Sequence, residues 1–206
     1  MKQKTIQLAE VSLLIGLAVC LLTGGLALRR QEQLAERVVR LHVLANSDSR
    51  EDQALKLKVR DRVLEAATEI LAETPDRTAA EARLRGSLLE LERVAGEELR
   101  ANGCTYPVTA ELRDTEFPTR EYEGFTLPAG EYLALRILIG EAAGRNWWCV
   151  VFPPLCTAAA SEVPACALAA GLTGEEVRLI TEEDRGTVLK FKTVEFWEKI
   201  RQEFQK

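Results

Sequence analysis

Histidine is nearly missing from this chain of 206 residues: it occurs once, at position 42. A metal centre built on imidazoles is thereby excluded, and the scattered cysteines show none of the C-x-x-C spacing that could replace them. The sequence has no G-x-S-x-G elbow, no H-E-x-x-H and no phosphate-binding glycine loop. Asp48-Ser49 and Asp114-Thr115 each lack the glycine that would complete an aspartic-protease signature. The acidic cluster from Asp48 to Asp52 lacks the central glycine and the distant glutamate of a calcium loop. No catalytic residue, metal or cofactor is expected. An excess of positive charge is lacking too. With 27 Lys and Arg against 32 Asp and Glu, the net charge of -5 gathers no phosphate backbone, so nucleic acid is not an expected partner.

What is present is organised from the N-terminus. Lys2 and Lys4 precede Val11 to Leu28, a run without one charged residue, which Arg29 and Arg30 close. The run falls just short of the ~20 residues that span a hydrocarbon core, so a removed signal peptide and a retained anchor are both open. Gly25-Leu26-Ala27 has the small-x-small form of a cleavage site and favours removal; a retained leader would make residues 11–28 the membrane contact. A lipoprotein reading of Cys20 is disfavoured by Val19. A soluble core helix does not need so long a run with no polar face. Residues 1–30 are thus a signal peptide or anchor, 36–156 an α+β domain, and 157–206 a C-terminal extension.

Removal of Cys20 would leave Cys104, Cys149, Cys156 and Cys166, which admit three disulfide connectivities. Cys149 and Cys156, with Pro153 and Pro154 turning the chain between them, are the easiest pair to bring together. Two buried free thiols are the competing reading, since spacing alone does not establish bridge geometry.

The spacing of apolar residues predicts the elements. Val38 to Leu44 (VVRLHVL) reads as a largely buried strand. Ser49 and Asp52 fit a capping box, and a helix follows from Gln53 to Glu73 on Leu55, Val59, Val63, Ala67 and Ile70. Thr74-Pro75-Asp76 breaks it, and a second helix is expected from Thr78 to Ala101. Capping is taken to account for the whole acidic cluster at Asp48 to Asp52. Tyr106 to Asp114, Tyr132 to Ile139 and Trp147 to Phe152 read as strands, with residues 117–132 an ordered loop between the first two. Val188 to Lys192 reads as an edge strand, and Thr193 as the cap of a last helix carrying Phe196, Ile200 and Phe204. The expected fold is α+β, a helical hairpin on a small, mostly antiparallel sheet.

His42 lies inside an apolar strand, where a hydrogen-bonded structural role outweighs a nucleophilic pairing with Cys149 or Cys156. Aromatic residues are scarce at 6%, which makes NWWCVVFPPLC, residues 146–156, conspicuous. Neighbouring side chains of a strand point to opposite faces, so Trp147 and Trp148 cannot share one core layer. Either the loop or the tail covers the outer one, or it is an interface anchor.

Three segments carry a resemblance: LHVLANSDSREDQALKLKVRD (41–61), FPTREYEGFTLPAGEYLALRILIG (117–140) and NWWCVVFPPLC. Together, in order across residues 38–156, they resemble the stage II sporulation protein R family. The resemblance implies a protein made in the forespore of endospore-forming bacteria and exported across its membrane into the intermembrane space. It implies a partner, a membrane-embedded aspartic protease of the mother cell, which cleaves the precursor of the early mother-cell sigma factor, and no enzyme activity of the chain's own. Trp147, Trp148, Tyr122, Phe125 and the Pro153-Pro154 turn are the candidate contacts, chosen by residue type and position. The competing classes are a Cys-dependent envelope hydrolase, which needs a cysteine sulfur beside His42, and a structural module of the septal membranes.

Overall fold

The computed structural model describes residues 2–181. The expected edge strand at Val188 to Lys192 and the helix after Thr193 lie outside these residues.

Helix α1 (Lys2–Ala35) contains the uncharged run, and its stretch Leu13–Ala35 is long and apolar enough to cross a membrane. Leu14, Leu17 and Leu21 stand exposed along it, away from the domain. Its last turns are different. Leu34 is 0% exposed, and Gln31 donates its amide to the carbonyl of Ala129. The helix therefore ends inside the folded domain, with one continuous rod leading from the apolar run to the core.

Strand β1 (Val39–Leu44) follows, then α2 (Arg50–Ile70). Ser49 caps α2 by accepting from the Asp52 amide, and Asp52, Lys56, Val59, Val63 and Ala67 form its buried stripe. The second expected helix is two: α3 (Arg77–Gly86), capped by Asp76, and α4 (Leu88–Ala101). The break falls at Gly86 and Ser87, both poorer helix formers than the leucines around them. Ser87 leaves helical geometry at φ -111°, ψ 9°. A period-based reading runs through this break because Leu84 and Leu91, on either side of it, are both buried.

Strands β2 (Val108–Phe117), β5 (Gly130–Ile139) and β6 (Asn146–Phe152) complete a four-stranded sheet with β1 in the order β2-β5-β1-β6. The pair β1 and β5 is parallel and the outer two pairings are antiparallel. Residues 117–132, read as a loop, contain a hairpin of β3 (Arg120–Tyr122) and β4 (Phe125–Leu127). Its two-residue turn uses Gly124 at φ 84°, and the Cβ of any other residue there would lie 2.9 Å from Ala160 Cα. Tyr122 and Phe125 stack across it at 4.7 Å.

Two cores result. On one face of the sheet α2, α3 and α4 cover Leu41, Val43, Leu135, Ile137 and Val151. On the other lie the hairpin, the end of α1, α5 (Val163–Ala169) and α6 (Gly174–Ile180). Leu34, Val38, Phe125, Leu127, Val163, Ala167, Val177 and Ile180 pack there, so residues beyond 156 share a core with the strands. Burial of the central strands on both sides is what a parallel pair demands.

Candidate partner-binding face of the sheet

Strand β1 alternates. Val39, Leu41 and Val43 enter the helix-side core, which turns Arg40 and His42 to the second face. Strand register then sets their neighbours. His42 stands opposite Arg136 of β5 and Trp148 of β6, and Arg136 stands opposite Glu111 of β2. Glu111, Arg136, His42 and Trp148 thus form one row across all four strands. Arg40 lies in the next row, beneath the hairpin.

Arg40 is 0% exposed. Its guanidinium lies 4.0 Å from the ring centroid of Phe117 and 4.9 Å from that of Tyr132, and it donates to the Tyr122 hydroxyl at 2.8 Å. The aromatic faces supply partial compensation for a cation out of water. Its Nε and Nη1 have no partner. Burial lowers the Arg40 pKa, and raises those of Tyr122 and Tyr132 even against the nearby positive charge.

His42, 7% exposed, pairs its Nε2 with Asn146 Oδ1 at 2.8 Å. Burial lowers its pKa, the bond to Asn146 opposes this, and Arg136 and Arg40 lower it further, so the balance favours the neutral ring. Arg136 is ion-paired with Glu111. Arg120 lies 3.9 Å over the Trp148 ring.

The residues named from sequence are not one patch. Trp147 and Trp148 do point to opposite faces. Trp147, 37% exposed, sits on the helix side with Arg60 4.3 Å over its ring, and Trp148 is half-buried beside His42. Tyr122 is half-buried, its hydroxyl engaged by Arg40. Phe125 is 1% exposed and Pro153 is buried, so neither offers surface to a partner in this arrangement; Pro154 is half-buried. Residue type suggested contacts there, but the hairpin folds its apolar side inward. Cys149 and Cys156 are joined as a disulfide, with Cα atoms 6.2 Å apart. Cys149 faces the helix-side core with Leu41, across the sheet from His42. Neither sulfur of this pair is a free thiolate beside the imidazole.

Sequence reasoning passed over Arg40, Arg136 and Arg120. The signal for Arg40 was legible, since in VRLHVL the two polar residues share one parity. Arg136 and Arg120 join the face only through register and hairpin folding.

The acidic cluster at the start of α2 also does more than cap. The Asp52 carboxylate accepts from Ser47 Oγ at 2.6 Å and Asn46 Nδ2 at 2.9 Å, and these bonds hold its pKa below the ordinary value. Asp48 accepts from the Arg145 amide at 2.7 Å, while Asn46 Oδ1 accepts from the Glu141 amide at 3.0 Å. Buried Lys56 donates to Gln53 Oε1 and to the Arg145 carbonyl, and burial lowers its pKa. This is a clamp between the β1–α2 corner and the β5–β6 turn.

Fold and site define a small α+β domain led by an apolar helix and bearing a donor-rich, aromatic sheet face. The chain belongs to the stage II sporulation protein R family, which matches residues 35–162. Stage II sporulation protein R of Bacillus subtilis (strain 168) is 37% identical over 123 residues, covering 60% of this chain and 55% of that protein. The match thus spans about half the length of that relative. No solved structure matches the chain.

Proposed function

We propose that this protein is an exported messenger of endospore formation. It crosses the forespore membrane into the intermembrane space and there activates a membrane-embedded aspartic protease of the mother cell. The protease then processes the precursor of the early mother-cell sigma factor. The observation that carries this reading is the family match over residues 35–162, which opens where α1 enters the core and spans all four strands of the sheet and the hairpin. The helix brings the domain to a membrane surface, where an integral-membrane partner is within reach. Activation requires that the domain bind the active arrangement of the protease more tightly than the inactive one. Trp147 and Trp148 lie on opposite faces of β6, and each offers a contact on its own side.

The test is reconstitution. Vesicles holding the protease are loaded with added purified full chain, and the sigma precursor is supplied from outside, on the opposite side of the membrane. Cleavage that depends on the added protein supports the proposal; cleavage without it, or none with it, overturns it.

A further inference from the structure

Of the seven buried side-chain polar atoms without a hydrogen-bond partner among the described residues, five lie on the second face of the sheet. They are Arg40 Nε and Nη1, His42 Nδ1, Arg136 Nε and Trp148 Nε1. Buried polar groups are almost always satisfied, and a concentration of exceptions calls for an absent partner. Four of the five are N–H donors, two of the residues are cations, and the row's carboxylate, Glu111, is already paired with Arg136. The face therefore lacks acceptors of negative charge.

Its shape selects among anions. The row from Glu111 to Trp148 crosses four strands, about 14 Å at the usual strand spacing, which is the length of roughly four extended residues. A single small anion meets only part of it. Asn146 and Arg120 are exposed at the β6 end, and the side chains of Glu111 and Arg136 are 34% and 19% exposed at the other, so the rim of the row reaches solvent.

We propose that this face receives an acidic segment of a protein partner, laid across the strands along the partly exposed rim of the row, where the half-buried side chains of Arg136 and Trp148 turn N–H groups that are covered in the free chain toward its carboxylates. The inference rests on the reading that the domain acts by binding a protein. Arg40 lies beneath as a fixed positive charge. Charge-assisted bonds to carboxylate are the strong ones, and guanidinium is the group that suits them. His42 couples the site to pH. With its Nε2 proton on Asn146, Nδ1 holds a lone pair, and protonation there adds one more donor. The charged groups around it are Arg40 on its own strand, Arg136 and Glu111 from β5 and β2, and Arg120 from the hairpin; Asn146 and Trp148 face it from β6. A bound carboxylate favours the protonated ring, so binding takes up a proton and weakens as pH rises.

The experiment uses full-length protein in detergent micelles, labelled at the indole and imidazole nitrogens. It is titrated with a capped Gly-Glu-Glu-Glu-Gly peptide, a capped Gly-Lys-Lys-Lys-Gly peptide and acetate. The glutamate peptide is expected to shift the Trp148 indole N–H saturably and to raise the His42 pKa. Arg136→Gln and Trp148→Phe, each shown folded by circular dichroism, are expected to weaken it at least tenfold. No shift, an equal shift with the lysine peptide, unchanged affinity in both variants, or acetate binding as tightly as the peptide would each overturn the proposal. In the vesicle assay, a double variant that activates as well as the wild type removes this site and leaves the proposed function standing. A wild type that fails to activate removes that function, and the peptide titration still decides the site.

Discussion

Arg40 of β1 donates to the hydroxyl of Tyr122 at 2.8 Å, the side-chain bond that fastens the β3–β4 hairpin to the sheet. Replacing the hydroxyl leaves a buried guanidinium with no acceptor. Tyr122→Phe is expected to cost about 1–3 kcal/mol in urea unfolding. Adding Arg40→Met should recover part of the loss, because it removes the cation that lost its partner. Strictly additive losses in the cycle would show that the two side chains do not interact.

Acid sensitivity has two separate windows. The folded-state pKa of His42 lies below 6.5, so the unfolded chain binds a proton more readily. Stability therefore falls as pH drops below 6.5 toward the folded value, and is unaffected by this residue above it. His42→Gln lacks that loss. Thermal midpoints of both proteins from about pH 5 to about pH 8 should show the advantage of the wild type narrowing as pH falls.

Asp52 acts lower on the scale. Its carboxyl is held below 3.8 by Ser47 and Asn46, so its contribution is fully present above 3.8 and is lost as pH falls through the folded value. Asp52→Asn should cost about 1–3 kcal/mol at neutral pH and flatten the acid-unfolding curve below that point. An unchanged curve would separate the clamp from acid stability.

The clamp also constrains glycine. A Cβ on Gly144 would lie 2.2 Å from the Ser47 carbonyl oxygen, which is backbone and cannot turn aside. Gly144→Ala is expected to cost about 1–3 kcal/mol. Gly86→Ala meets nothing within 4 Å at the end of α3 and should stabilise by about 0.5–1 kcal/mol. Denaturant midpoints of the two variants should move in opposite directions.

Leu34 tests whether the last turn of α1 belongs to the domain. It is fully buried among Val38, Phe125 and Val177, and Leu34→Ala should cost about 2–5 kcal/mol. Limited proteolysis of the domain would register the change, whereas Leu17→Ala, on the exposed run, should leave the domain's resistance unaltered.

The apolar N-terminal run, the buried strand at Val39–Leu44, the capped helix from Ser49, the α+β class and the opposite facing of Trp147 and Trp148 were all determined by sequence alone. Each depends on local periodicity, capping or strand alternation, which a single segment carries within itself. The break at Ser87, the hairpin inside residues 117–132 and the inward turn of Phe125 and Pro153 were decided by tertiary structure. So was the row from Glu111 to Trp148. Its members come from four strands whose neighbours are fixed by register, and the parallel pairing of β1 with β5 joins residues nearly a hundred positions apart. Polar groups brought together that way leave no periodic trace, because each satisfies its own strand's alternation whatever stands beside it.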